Sequence, residues 1–114
     1  AKYSNINNIE LKSLLNRGVK IVDIRRQEEW DATGIIKGSQ KATAFNKNGD
    51  FIKTFVPSMM AVTSPEEEVI LICRSGNRTV AIAKILTEQL GFKKIYNVTN
   101  GISKWIKDGF PVVK

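Results

Sequence analysis

The feature that most constrains the fold is the uninterrupted apolar run Val69-Ile70-Leu71-Ile72-Cys73. Successive side chains of a strand point to opposite faces of a sheet, so a strand that is apolar at every position must be covered on both faces. Strands of this kind are typical of parallel sheets with a layer of helices on each side. The run is much shorter than the roughly 20 residues that a membrane-spanning helix needs, so we expect no membrane span.

Turn residues divide the rest of the chain into short segments that alternate between strand-like and helical patterns. Strands are predicted over 19–23, 41–45, 69–72 and 94–97. Helices are predicted over 9–15, 25–32, 55–62, 80–90 and 102–106. This alternation predicts a three-layer α/β fold, with a central, mostly parallel sheet of about five strands and helices on both faces, in one domain over residues 1–114.

Composition excludes several classes of site. The 114 residues include no histidine and one cysteine. A Ser-His-Asp triad, a Cys-His dyad, an intrachain disulfide and a zinc site built from Cys and His are therefore all excluded within this sequence, and we expect no metal and no cofactor. The net charge is +7, but the lysines are dispersed along the chain. This pattern argues against nucleic-acid binding and suits the attraction of small anions.

Cys73 lies at the carboxyl end of the central predicted strand, which is where functional residues gather in parallel sheets. A lone cysteine is most often a small buried hydrophobe, but the residues that follow favour another interpretation. They are Arg74-Ser75-Gly76-Asn77-Arg78, and a predicted helix comes next. The glycine can take a left-handed conformation, two guanidinium groups are positive, and the first amides of the helix converge on the loop. Such surroundings favour a thiolate, which is nucleophilic without an imidazole base.

The width of this loop separates two kinds of chemistry. Four residues lie between Cys73 and Arg78. Tyrosine phosphatases use a related loop that is one residue longer and holds a tetrahedral phosphate against the sulfur. We therefore expect the shorter loop to close around something smaller, such as a single additional sulfur atom.

Four segments, in the right order, resemble the signatures of the rhodanese family of sulfurtransferases. They are Val22-Asp23-Ile24-Arg25 with Glu29-Trp30, then Gly34-Ile35-Ile36-Lys37-Gly38-Ser39, then the loop from Cys73 to Arg78, and finally Asn97-Val98-Thr99-Asn100-Gly101 with Trp105, Gly109 and Pro111. The resemblance covers nearly the whole chain and implies a rhodanese-like fold. Ile35 stands where the family often has histidine, and Asn100 where it often has the first of two glycines. Since asparagine accepts a left-handed backbone, we expect the second departure to be mild.

The resemblance also implies roles for individual residues. Cys73 would hold a persulfide, with the amides of residues 74–78 around the outer sulfur. Arg74 would favour an anionic donor such as thiosulfate, and Arg78 would brace the loop. Asp23 and Arg25 would fix the loop and the adjacent segment, with Glu29 as the partner of Arg25. A purely structural ion-pair network among Asp23, Arg25, Glu29 and Arg78 is the alternative.

The function implied is transfer of sulfane sulfur from a small anionic donor to a cyanide-like or thiol acceptor. Two alternatives stay open: a persulfide carrier that serves an acceptor protein, and a rhodanese-like binding module without catalysis. A phosphatase is disfavoured by the short loop, and an arsenate reductase also by the lack of a second thiol. The sequence leaves the compartment open between the cytoplasm and, if Ala1 follows a removed signal peptide, the periplasm.

Most of the remaining large side chains are expected in the core, since they are spaced singly among apolar residues. These are Trp30, Trp105, Tyr3, Tyr96, Met59 and Met60. Phe45, Phe51 and Phe55 lie in the least regular stretch of the chain, where they could form a rim over the active loop.

Overall fold

The computed structural model describes residues 2–114, and a five-stranded parallel sheet runs through its centre in the order β1-β5-β4-β2-β3. Ala1, on which the expectation about an export signal depends, lies outside the described residues. The strands are β1 (Ser4–Ile6), β2 (Lys20–Asp23), β3 (Gln40–Lys41), β4 (Glu68–Ile72) and β5 (Lys94–Val98). The helices are α1 (Asn8–Asn16), α2 (Gln27–Thr33), α3 (Phe55–Val62), α4 (Asn77–Glu88) and α5 (Gly101–Lys107). Between residues 2 and 114, no helix combines the length and the apolar character needed to cross a bilayer.

β4 is the central strand and is buried on both faces, as its apolar run predicts. Val69 and Leu71 point into one core cluster, which α3 and α4 cover with side chains such as Phe55 and Ile82. The alternate residues of β4 point into the second cluster, which α1 and α5 cover with side chains such as Trp105. The α/β fold with helices on both faces of a parallel sheet is therefore confirmed. Since all five strands run the same way, their carboxyl ends share one edge, and Cys73 follows β4 at that edge.

Two strands differ from the prediction. β1 was not predicted, because Ser4 and Asn5 are polar and exposed and only Ile6 is buried. This short segment becomes a strand by parallel pairing with β5, a tertiary effect that local pattern does not show. The strand predicted over 41–45 shortens to Gln40–Lys41, although the next residues still follow β2, with the amides of Ala42 and Ala44 donating to its end.

Of the six large side chains expected in the core, Tyr3 and Tyr96 are partly buried and pack against it. Trp30, Trp105 and Met59 are buried, whereas Met60 is exposed, so its assignment to the core was wrong. On a helix, neighbouring residues point about 100° apart, and one of an adjacent pair therefore faces solvent.

The three phenylalanines considered as a rim over the active loop pack against one another. Phe55 is fully buried, Phe51 is exposed, and the two rings meet edge to face at 5.9 Å. Phe45 packs on Phe51 from the other side at 6.0 Å. The stack therefore anchors an exposed ring to the core through Phe55.

Candidate active site

The Cys73 sulfur is buried beneath the loop that follows β4. The cysteine is 1% exposed, and its Sγ accepts a hydrogen bond from the amide of Gly76 at 3.2 Å. Gly76 has φ +93°, the left-handed conformation expected from the sequence, and it directly precedes α4. The exposed side chains of this segment are those of Arg74 and Ser75 in the loop and Asn77 at the start of α4.

The amino terminus of α4 faces the site without a side-chain cap. Within the described residues no side chain accepts from its first amides, and the first turn contains no acidic residue. The partial positive charge of the helix end is therefore not neutralised locally, and it favours an anion in the loop.

The main chain between β5 and α5 clamps the loop. The first amides of α5 donate to it, from Ile102 to the Cys73 carbonyl at 2.9 Å and from Ser103 to the Arg74 carbonyl at 3.0 Å. A Cβ on Gly76 would collide with the Thr99 carbonyl, and a Cβ on Gly101 would collide with that of Arg74. The two glycines are therefore required by close backbone contact as well as by their positive φ angles.

Gly101 also explains why Asn100 is tolerated, although the expected reason was wrong. Asn100 has φ −110°, so it does not need the left-handed conformation. Gly101 has φ +61°, so the left-handed conformation at this turn falls on Gly101 and not on Asn100. Ile35, the other departure from the family pattern, pairs with Val113 in a two-residue antiparallel bridge.

Arg78 is paired with Glu29 and not with the loop. Its Nη1 and Nη2 donate to the two carboxylate oxygens of Glu29 at 2.9 and 2.7 Å, which ties α4 to α2. Burial opposes ionisation of Glu29, but hydrogen bonds from Arg78 and the Arg26 amide outweigh it and lower the pKa of Glu29 to about 2. The hydrogen bonds that Arg78 donates to Glu29 raise the pKa of Arg78 against the opposing effect of burial, and the negative charge of Glu29 adds to the rise.

The expected pairing of Arg25 with Glu29 was wrong. Arg25 is 1% exposed and binds the equally buried Asp23 through Nε and Nη2, the latter at 2.9 Å. It reaches only the main-chain oxygen of Glu29, at 3.5 Å. Its guanidinium also donates to the Thr33 hydroxyl at 2.8 Å and the Gly34 carbonyl at 2.9 Å. The buried pair thus fastens the end of α2 to β2, which is the structural role considered as the alternative.

Arg74 differs from these arginines, because its guanidinium makes no ion pair or side-chain hydrogen bond with any described residue. It lines a groove of about 500 Å³ that lies between α2 and α5. Ala32, Ile102 and Ile106 give this groove a largely apolar wall.

Sequence reasoning missed Thr79 and Asn97. Thr79 Oγ1 lies 3.5 Å from Cys73 Sγ and hydrogen-bonds to Asn97 Oδ1. Both residues are buried, at 0% and 2% exposed. Asn97 begins the last of the four family-like segments, near the end of β5, and Thr79 directly follows the loop as the third residue of α4, but neither position indicated a contact near the sulfur.

Comparison with known proteins identifies the family. The Rhodanese-like domain family matches residues 7–108, and the chain belongs to this family. A protein named sulfurtransferase from Allochromatium vinosum is 28% identical over 113 residues, which is 95% of each chain. The structure resembles that of an M. tuberculosis protein with a TM-score of 0.83 and 22% identity over 97% of both chains, a likeness that shows the fold.

A second solved structure is that of the polysulfide-sulfur transferase homodimer from Wolinella succinogenes. It matches with a TM-score of 0.77 and 25% identity, over 98% of this chain and 79% of that one.

Glu29→Gln should make the protein less stable near neutral pH but less sensitive to acid. Because the pKa of Glu29 is lowered from 4.5 to about 2, its stabilisation is complete above about pH 4.5 and is lost as the pH falls toward 2. This contribution amounts to at most about 3 kcal/mol. Urea unfolding between pH 7 and pH 2 measures it, with Glu88→Gln on the exposed end of α4 as control. Parallel pH profiles for the wild type and Glu29→Gln would contradict the assignment.

Gly101→Ala should destabilise the protein more than Gly91→Ala. Both glycines have positive φ, +61° and +71°, so each alanine costs about 1–2 kcal/mol in backbone strain. No atom lies within 4 Å of a Cβ placed on Gly91, whereas at Gly101 it would meet the active loop, adding about 1–3 kcal/mol. Urea unfolding of the two variants compares them. Equal losses of unfolding free energy in the two variants would show that the contact between Gly101 and the active loop is not tight.

Proposed function

We propose that this protein is a sulfurtransferase in which Cys73 accepts a sulfane sulfur from a small anionic donor, such as thiosulfate, and passes it to a thiophilic acceptor. The observation that carries this proposal is the position of the Cys73 sulfur, hydrogen-bonded to the Gly76 amide beneath the uncapped end of α4. Membership of the rhodanese-like family and a relative named sulfurtransferase support it.

The reaction is a double displacement. The Cys73 thiolate attacks the outer sulfur of thiosulfate, a new S–S bond forms, and the S–S bond of the donor breaks as sulfite leaves with its electron pair. The product is a Cys73 persulfide anion. Cyanide or a thiolate then attacks the outer sulfur, which leaves as thiocyanate or as a new persulfide, and the Cys73 thiolate is restored. Like thiol-disulfide exchange, both steps depend on the thiolate fraction and on the quality of the leaving group.

The loop amides serve both half-reactions. An anion is present in each state, first on the cysteine sulfur and then on the outer sulfur, and fixed N–H groups stabilise it without reorganisation. No proton has to be removed from a thiolate, so the lack of histidine in the sequence is no obstacle.

The arginines divide into two roles under this proposal. Arg78 donates its hydrogen bonds to the Glu29 carboxylate and holds the loop in place, so it is a positioning residue. Arg74 has no such partner and is exposed beside the loop, where it would attract the anionic donor. The apolar groove next to Arg74 offers a path for a larger acceptor.

Incubation with thiosulfate should add the mass of one sulfur atom to the protein, because the persulfide is a stable intermediate until an acceptor arrives. Intact-protein mass spectrometry detects the gain, and subsequent cyanide should remove it with release of thiocyanate. Cys73→Ser should show no gain. Since Cys73 is the only cysteine in the sequence, no other thiol can produce the signal. An unchanged wild-type mass with thiosulfate and with polysulfide would refute the proposal.

Arg74→Gln should raise KM for thiosulfate about tenfold, the loss expected for one hydrogen bond to a charged group. The effect on kcat should be small, because Arg74 is proposed to attract the donor and not to stabilise the bond-breaking step. Steady-state assays with saturating cyanide measure both constants. Lys84→Gln removes the same charge from the exposed side of α4 and serves as control. An equal rise of KM in both variants would assign the effect to net charge alone.

A further inference from the structure

A chain of side-chain hydrogen bonds leads from the Cys73 sulfur to the edge of the sheet. Thr79 Oγ1 lies 3.5 Å from Sγ and hydrogen-bonds to Asn97 Oδ1, and Asn97 Nδ2 donates to Asn5 Oδ1 at 3.0 Å. Thr79 and Asn97 are buried, whereas Asn5 is exposed on the edge strand β1. The inner members must therefore satisfy each other, and only the outer end can exchange hydrogen bonds with water.

The number of protons in this chain fits a neutral sulfur. A threonine hydroxyl has one proton to donate, and three acceptors surround it: Cys73 Sγ, the Gly76 carbonyl at 3.2 Å and Asn97 Oδ1. When the sulfur is a thiol, its own proton points to Thr79 Oγ1 and the Thr79 proton points to Asn97. The Sγ–Thr79 and Thr79–Asn97 contacts then each have one proton between their two heavy atoms, and the Gly76 carbonyl receives none from Thr79.

An anionic sulfur breaks this arrangement. The sulfur no longer has a proton, so its contact with Thr79 is favourable only if the hydroxyl turns its proton toward Sγ. Thr79 Oγ1 and Asn97 Oδ1 would then face each other as two acceptors in a buried site, which is costly. A half-turn of the Asn97 amide relieves the conflict, because Nδ2 then donates to Thr79. Its oxygen now faces Asn5, and the exposed Asn5 amide is free to turn and donate.

We propose that Thr79 and Asn97 are positioning residues that form a reversible hydrogen-bond relay, whose direction is set by the charge on the Cys73 sulfur. The thiol donates outward through Thr79 to Asn97, and the anion receives donors inward from Asn5 through Asn97 and Thr79. The Thr79 hydroxyl thereby adds a second donor to the Gly76 amide when the sulfur is charged. This inference rests on the proposed role of Cys73 as an anionic nucleophile, but it does not depend on which sulfur donor is used.

Other charged groups near the sulfur are unchanged by substitutions in the relay. They are Arg74 in the loop, Arg78 on α4 paired with Glu29 on α2, and the Asp23–Arg25 pair at the end of β2. Residues 97–103 and α3 contain no ionisable side chain. A variant at Thr79 or Asn97 that leaves the fold intact therefore tests the relay at constant charge.

The test is the pH profile of Cys73 alkylation by iodoacetamide, followed by intact-protein mass. Thr79→Val removes the hydroxyl and should move the midpoint of the rate profile up by about one pH unit, the equivalent of one hydrogen bond to a charged group. Thr79→Ser keeps the hydroxyl and should restore the wild-type midpoint. Asn97→Leu removes the competing acceptor and should leave the midpoint unchanged or lower it. A purely structural role predicts that Thr79→Val and Asn97→Leu shift the profile in the same direction, and that result would overturn the relay.

Thr87→Val is the matched control. Thr87 is also a buried threonine of α4, but its hydroxyl bonds to the Ala83 carbonyl at 2.8 Å, within the same helix. Its loss should not move the midpoint. A shift as large as that of Thr79→Val would show a general effect of removing a buried hydroxyl and would also overturn the proposal.

Amide NMR provides a readout that does not use the reactivity of the thiol. The side-chain NH₂ resonances of Asn97, assigned by their absence in Asn97→Leu, should shift with pH at the alkylation midpoint in the wild type and stay constant in Cys73→Ala. No shift in the wild type would refute the relay. Persulfide formation with thiosulfate is measured separately, so a protein that forms no persulfide but shows these shifts would lose the proposed function and keep the relay.

Discussion

The burial of β4 on both faces is the constraint on which the rest of this structure depends. A strand whose side chains are apolar on both faces needs a helix layer on each side, and parallel pairing with β2 and β5 gives those helices room to cross between strands. The carboxyl ends of all strands then meet at one edge. Cys73 follows the last residue of β4, so the requirement that buries the strand also fixes the position of the sulfur.

Under the proposed function, that position explains how a chain without histidine can present a reactive sulfur. The loop after β4 turns through Gly76 into α4, so the sulfur lies under a free helix end and receives the Gly76 amide. The start of α5 binds the carbonyls on the opposite side of the same loop. The Gly76 amide therefore points toward the sulfur while the carbonyls of Cys73 and Arg74 are bound by α5, and a fixed donor of this kind stabilises a sulfur anion. This arrangement is achieved by backbone geometry, which is why two glycines matter as much as any charged residue.

Prediction from sequence succeeded where one local pattern determines one structure. The apolar run of β4 predicts its double burial, and the Cys73 loop with its glycine predicts a left-handed turn before a helix; the structure has both. Prediction failed where partners are chosen in three dimensions. Glu29 is four residues from Arg25 in sequence, yet its carboxylate binds Arg78. The Arg25 donors are taken by Asp23, by the Thr33 hydroxyl and by the main-chain carbonyls of Gly34 and Glu29. The contact between Thr79 and Asn97 joins α4 to β5, and no periodicity in either segment indicates it.

The pairing of these carboxylates decides where positive charge is available. Asp23 neutralises Arg25 and Glu29 neutralises Arg78, so two of the three guanidinium groups nearest the loop are committed to holding α2 and α4 in place. Arg74 is left without an acidic partner among the described residues. Under the proposed function, the cation offered to a ligand is thus the one whose side chain is exposed, while the buried Arg25 and the partly buried Arg78 maintain the geometry. A net charge of +7 spread over the surface adds attraction at long range, but under the proposed function the selection of an anion at the sulfur falls to Arg74 and the loop amides.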